Sequence, residues 1–298
     1  MNYTDLLVDI SIIKNKIVSR FNQIKLYLFK AIVTTPYFLF KYKIKFLNKC
    51  IVTHLELNFG DNIVHLHFLR SLALRYPDYL FFHFAKESYL SDLKDYVQDI
   101  DNIYIKKLCE CPLFSINVWK NYDEFWAEHP LKYDFVLFYI CLFDRLALKM
   151  GLNNQIKSKK DFIFNVNPKN TDVTRYKSYD YLIVNSPPLS SQFMYGINEM
   201  ESLCMDIANK YSIITTCKVK NLPCTTDENM SMFQIAVQSL KCRYHIMIAT
   251  GPSWLVLNSY NCIFSSGIFL LLQNENVILS ENMSNYETIV ELRNVIKI

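Results

Sequence analysis

The sequence predicts an α/β fold built on parallel sheets, and three observations carry that prediction. From Cys50 onward, short apolar runs alternate with amphipathic segments. The alternation stops over a polar stretch around residues 153–178 and then resumes. Two of the chain's five glycines, Gly60 and Gly251, sit in turns that close an apolar run. Strand–helix alternation predicts parallel strands joined by crossover helices. The restart predicts two Rossmann-like halves facing a central cleft, whose ligand site lies beyond the carboxyl ends of the strands.

The elements follow in order. Residues 10–49 read as helix, because Ile12, Ile13, Ile17, Phe21, Ile24 and Leu28 recur at roughly helical spacing with lysines between them; Pro36 is expected to break the run. CIVTHLEL (50–57) reads as a strand, and residues 61–76 as a helix with Ile63, Leu66, Leu69, Leu72 and Ala73 on one face. YLFFHFA (79–85) is a second strand, SYLSDLKDYV (88–97) a helix opened by Ser88, and NIYIKKL (102–108) a third strand. YDFVLFYICLF (133–143) is almost continuously apolar, as a strand covered on both faces would be. After the polar stretch come a strand at 179–188, a helix at 197–211, a strand at 212–219, a helix at 230–240 and a strand at 244–250. A further strand within 262–272 and a terminal helix complete the chain. The expected division is a basic helical extension (1–49), a first half (50–165) and a second half (166–298).

Composition narrows the class. Of 298 residues, 51% are hydrophobic and 15% aromatic, which supports a large core and excludes a disordered chain. Net charge is +4, yet Ile10 to Leu55 contains no acidic residue and nine basic ones, so the positive charge belongs to one segment. A basic amphipathic segment with Tyr and Phe suits an anionic membrane surface; a helix packed on the body with a solvated basic face is the plainer reading. AIVTTPYFLF (31–40) is too short to span a bilayer, which needs about 20 apolar residues. Residues 244–274 carry no charge, but glycine, proline, asparagine and serine interrupt them. The start, MNYTDLLVDI, has no basic lead-in of the secretory kind, and nine cysteines without a C-x-x-C pair fit a reducing cytoplasm. No aromatic platform for nucleic acid stands out, and no nucleic-acid partner is expected.

Two turns could carry chemistry. In Asn58-Phe59-Gly60-Asp61, glycine permits a sharp turn and the aspartate falls at or beside the start of a helix. Asp61 is then either a helix cap, contributing about 1 kcal/mol, or a carboxylate at the cleft that takes a proton from an acceptor hydroxyl. In Thr250-Gly251-Pro252-Ser253, the backbone N–H groups after the strand could meet a diphosphate, with Thr250 and Ser253 adding hydroxyls. His65 and His67 flank Leu66 and point about 200° apart on a helix, a poor metal pair. His245 opens a buried strand and reads as a core histidine. Trp119 and Trp126 read as packing anchors that could also line a sugar site. No metal site is expected.

Taken together, the two turns resemble the ADP-heptose:lipopolysaccharide heptosyltransferase-like family of GT-B glycosyltransferases. That family opens with a strand, a Gly-Asp turn and a helix running to Tyr-Pro, as does LELNFGDNIVHLHFLRSLALRYPDYLFFHF here. Its second half carries a Thr-Gly-Pro turn, to which SMFQIAVQSLKCRYHIMIATGPSWLVLNS (231–259) is similar. The resemblance covers roughly 51–85 and 180–260. It implies a GT-B fold and inverting, metal-independent sugar transfer with Asp61 as base and Asn58 and Gly60 beside it. It implies phosphate contacts at Thr250, Gly251 and Pro252, extended to Ser253, and a second-half loop at Ser186-Pro187-Pro188. The implied partners are a nucleotide-sugar co-substrate, with no other cofactor, and a lipid-linked surface glycan at the cytoplasmic face of the membrane. Two features depart from the family: its histidine after Gly-Pro is replaced near Ser253-Trp254, and its Lys-Trp after the second-half strand is missing, with Phe193-Met194-Tyr195 nearby. A polysaccharide pyruvyl transferase is the sibling reading, through the shared N-x-G-D start and Arg243-Tyr244-His245. A non-catalytic GT-B shell at the membrane surface is the reading from another class.

Overall fold

The computed structural model describes residues 18, 19, 22, 25, 27–42, 49–128, 134–164, 166, 172–187, 196–273 and 277–296. Two fully parallel sheets organise it, as the alternation predicts. The first contains β1 (Cys50–His54), β2 (Leu80–Ala85), β3 (Ile103–Lys107) and β4 (Ile116–Asn117) in the order β3-β2-β1-β4. The second contains β5 (Tyr179–Val184), β6 (Ile213–Thr215), β7 (Cys242–Ile248), β8 (Gly267–Leu271) and β9 (Met283–Tyr286) in the order β6-β5-β7-β8-β9. In each sheet the chain first builds outward on one side of its opening strand and then crosses to the other side. The points where the order reverses lie between β1 and β4 and between β5 and β7. Crevices open at such points, because the crossovers on either side leave on opposite faces.

The helix after β1 runs Phe59–Arg75 and stops at Tyr76, the residue before Pro77, where proline disfavours further helix. Twelve of its residues are buried, including His65, His67 and Arg70, so it is wrapped on nearly all sides. Arg70 is compatible with that burial because Asp99 accepts from both of its terminal nitrogens. One apolar core, including Phe68, Phe143, Phe162, Met247 and Leu255, contains residues from both sheets' surroundings.

One predicted strand is a helix. Residues 135–143 of that run belong to a helix spanning Phe135–Lys149, opened by Asp134, whose Oδ1 accepts from the Leu137 N–H at 2.8 Å. The apolar run is continuous because the helix is buried on most of its surface: Val136, Phe138, Tyr139, Ile140, Leu142, Phe143, Leu146 and Ala147 are all buried. Its length and its aspartate cap both favour helix, since strands rarely exceed eight residues.

Pro36 does not break the N-terminal run either. A π-turn, Lys30–Thr34, leads into a helix at Thr35–Lys41, and the Thr35 N–H reaches back five residues to the Lys30 carbonyl. The wider turn accommodates a residue without an N–H. This helix inserts Phe38 against the outer face of the first sheet, 4.8 Å from Phe82 between ring centres. Residues 35–42 are thus a layer of the first sheet. Most of residues 10–29 lie outside the described residues. The polar stretch after residue 153 is likewise tied in: Phe162 and Phe164 are fully buried, and Phe164 bonds to Leu257 and Ser259 through its backbone.

Candidate active site

The loops at both reversal points converge on one cleft of about 390 Å³. Asn58, Gly60, Asp61, Ser186, Thr250, Gly251 and Pro252 all line it. These residues are almost 200 positions apart in the chain, and only the pairing of two parallel sheets gathers them. Of the expected site, Ser253 alone is turned away. It is buried, and its hydroxyl donates to the Ile248 carbonyl at 2.5 Å, which closes the turn rather than facing the cleft. Pro188 and residues 193–195 lie outside the described residues.

Glycine is required where the two turns meet. A Cβ on Gly251 would lie 3.0 Å from Phe59 Cδ1 and 3.3 Å from the Gly60 nitrogen, so the starts of two helices touch backbone to backbone. Gly60 is less confined: its Cβ would rest 3.4 Å from Gly251 Cα and Trp254 Cδ1, which is ordinary contact. The close approach is asymmetric.

Asn58, not Asp61, occupies the N-cap of the long helix, although its side chain makes no cap bond. Asp61 lies three residues on, half-buried in the cleft wall. Burial raises its pKa; Tyr139, donating to Oδ1 at 3.4 Å, and the N–H groups of Asp61 and Asn58 oppose that rise. Asp61 is the one charged residue among the described residues lining the cleft. The turn ahead of it is held from below by buried Asn62, whose amide donates to the Asn58 carbonyl at 2.9 Å and the Leu57 carbonyl at 3.4 Å.

The remaining wall is aromatic. Phe135 stacks on Trp254 at 5.1 Å with the rings 8° from parallel. Trp119 stacks on Tyr122 at 5.1 Å and 16°. Tyr89 and Tyr139 complete it, with Trp126 stacked behind Tyr122 and away from the lining. Phe135 and Tyr139 come from the helix that the sequence disguised as a strand, so both escaped sequence reasoning; Asp134 as a helix cap was the signal that could have found them. On the second sheet, the Ser186 hydroxyl is 3.0 Å from that of Thr216, which Asn185 anchors at 3.0 Å.

The histidines divide as expected. His245 is buried, with Nδ1 at 3.0 Å from the Ser265 hydroxyl and Nε2 at 2.9 Å from the Ser239 carbonyl; burial lowers its pKa to about 4. An exposed catalytic histidine at this position is therefore ruled out. His67 bonds Tyr96 and the Asp161 carbonyl, pointing away from His65. Among the described residues, no three His, Cys, Asp or Glu side chains gather as a metal site would need. All nine cysteines are free thiols.

No protein-family model matches the chain, and no curated protein does. Among solved structures the chain is similar to a family 9 glycosyl transferase from Veillonella parvula, at 10% identity and a TM-score of 0.44 over 85% of this chain and 92% of that one. It is also similar to E. coli heptosyltransferase WaaC with ADP-2-deoxy-2-fluoro heptose, at 10% identity and 0.48 over 83% and 99%. A third similarity is to E. coli ADP-heptose lps heptosyltransferase II, at 10% identity and 0.43 over 80% and 91%.

Proposed function

We propose that the chain is a GT-B glycosyltransferase that moves a sugar from a nucleotide-sugar donor to a lipid-linked surface glycan with inversion. The observation that carries this reading is the convergence of the 58–61, 186–187 and 249–254 loops on one cleft whose single lining charge among the described residues is Asp61. In the proposed reaction Asp61 accepts the proton of an acceptor hydroxyl. The freed oxygen attacks the anomeric carbon from the face opposite the diphosphate, and the bond to the nucleoside diphosphate breaks. Desolvation raises the pKa of Asp61 and so makes it a better proton acceptor. The backbone of Thr250, Gly251 and Pro252, with the hydroxyls of Ser186 and Thr250, offers neutral contacts to the leaving diphosphate. A step without a metal ion is part of this reading, with these neutral contacts taking the place of a cation at the diphosphate. Ser253 supports this turn from within.

The membrane part of the reading rests on the N-terminal helical run. Ile32 is 70% exposed and Phe40 84% exposed, with Tyr27, Leu28, Phe29, Val33 and Tyr37 also on the surface and Lys25, Lys30 and Lys41 among them. No helix among the described residues is long and apolar enough to cross a membrane. Such a surface suits docking on an anionic leaflet, and we place the enzyme at the cytoplasmic face.

The deciding experiment is a thermal-shift screen of nucleotide sugars, followed by a transfer assay comparing the wild type with Asp61→Asn. Stabilisation by one nucleotide sugar and loss of transfer in the variant are expected. A response to phosphoenolpyruvate alone would turn the assignment to pyruvyl transfer, and no response to any nucleotide would favour a non-catalytic shell. For docking, Ile32→Ser with Phe40→Ser is expected to reduce sedimentation with anionic vesicles; unchanged sedimentation would overturn it.

A further inference from the structure

Behind Asp61 a small recess of about 20 Å³ opens off the cleft, sharing Leu57, Asp61, Trp119, Tyr122 and Tyr139 with it and adding His65. His65 stands one helical turn after Asp61, so both side chains lie on the same face. It is 2% exposed, and its Nδ1 has no hydrogen-bond partner among the described residues.

The protonation of His65 follows from a chain of buried bonds that starts in the turn. The Asn62 amide nitrogen donates to the Asn58 carbonyl, which fixes Oδ1 as the acceptor end. His83 Nε2, 3.0 Å from that oxygen, must therefore carry a hydrogen. Burial holds His83 neutral, with a pKa of about 3, so its Nδ1 is a bare lone pair. The Thr53 hydroxyl is 3.1 Å from that lone pair and 3.4 Å from the Phe82 carbonyl; it donates to the nearer, otherwise unmet acceptor. Thr53 Oγ1 is then free to accept, and His65 Nε2 at 3.2 Å supplies the hydrogen. Burial keeps His65 neutral as well, so its Nδ1 is an acceptor with nothing donating to it. An unmet acceptor at this depth is destabilising, because it has given up water without gaining a donor. Asp61, facing the same recess, is a second acceptor. Neither can satisfy the other.

A molecule with two hydrogens to give resolves both, and the recess is the size of one water. We propose that it holds a single ordered water that donates one hydrogen to His65 Nδ1 and the other to the Asp61 carboxylate, making His65 a positioning residue for Asp61. When Asp61 becomes protonated, its new O–H donates to the water oxygen while the water keeps its bond to His65. No other covalent bond changes. The same water therefore serves both states of the group, and the Asn62–His83–Thr53–His65 chain sets the orientation in which it does so. The water site stands without the glycosyl-transfer reading; only the benefit to a base at Asp61 rests on it.

The test uses the intact chain and needs no substrate. A high-resolution crystal structure is expected to show a water within hydrogen-bond distance of both His65 Nδ1 and Asp61. Spectra of 15N-histidine-labelled protein are expected to show His65 and His83 as Nε2–H tautomers. In His65→Leu, which removes the acceptor that holds the water, carbon-detected titration is expected to move the Asp61 carboxyl midpoint up by about one unit, as loss of a donor to a carboxylate requires. A dry recess, an Nδ1–H tautomer at His65, or an unmoved Asp61 midpoint would each overturn the proposal. Should His65→Leu not fold, the wild-type water and tautomer decide it. A failed sugar-transfer assay leaves all three readouts untouched, so the two readings fail separately.

Discussion

The two glycine turns occupy matching places at the carboxyl ends of two parallel sheets, yet they are built by opposite means. The first, at 57–61, carries a carboxylate and rests on a buried polar chain of Asn62, His83, Thr53 and His65. The second, at 249–253, carries no charge and closes on itself through Ser253 and the Ile248 carbonyl. One turn is organised to hold and tune a titrating group. The other presents backbone and hydroxyls and owes its shape to glycine and proline. The proposed transfer would use both kinds: a group that changes protonation where a hydroxyl loses its proton, and fixed neutral contacts where a leaving group departs.

Substitutions at the two turns should separate these roles. The largest effect is expected for Asp61→Asn, with transfer falling about 10²- to 10⁴-fold as for loss of a general base. Stability should hold or rise slightly. Because the folded pKa of Asp61 is raised, its ionisation costs stability, a cost that develops as pH climbs from the ordinary carboxylate value of about 3.9 to the raised one. The variant removes that cost above this window. A urea midpoint that drops sharply would return Asp61 to a capping role. By the same sign, wild-type kcat/KM should fall as pH drops through the raised pKa, with an acid limb above about 3.9. A flat acid profile would argue against a carboxylate base.

Next in size is Gly251→Ala, whose Cβ meets Phe59 at 3.0 Å and the Gly60 nitrogen at 3.3 Å. Urea denaturation should register a loss of about 1–3 kcal/mol, typical of overpacking. Ser253→Ala should cost about 1 kcal/mol in the same assay by leaving the Ile248 carbonyl without its donor. Gly60→Ala should be the mildest, within about 0.5 kcal/mol, since its Cβ finds only ordinary contact. Equal losses at Gly60 and Gly251 would contradict the asymmetric packing of the two turns.

Much of this architecture was legible beforehand. The alternation of short apolar runs and helices located the strands of both sheets except the two-residue β4 and the terminal β9, and the Gly-Asp and Thr-Gly-Pro turns marked both halves of the cleft. The helix at Phe135–Lys149 was not legible as one. An apolar run buried on all sides loses the periodicity that distinguishes helix from strand, and the aromatic wall at Phe135 and Tyr139 disappeared with it. The role of His65 was equally hidden. Its spacing from His67 said only that the two rings face apart, whereas its bonds go to Thr53 and, through it, to His83 on the neighbouring strand.

Local sequence determined where the chain turns, which turns need glycine or carry charge, and that two parallel sheets would form, because each of these depends on periodicity and on residues within one turn of each other. Tertiary structure alone decided that Asp61 lies beside Tyr139, that Gly251 rather than Gly60 is the tight glycine, and that Ser253 faces inward. Those outcomes depend on which surfaces two sheets bring together across almost 200 residues, and burial and contact at that separation leave no local trace in the chain.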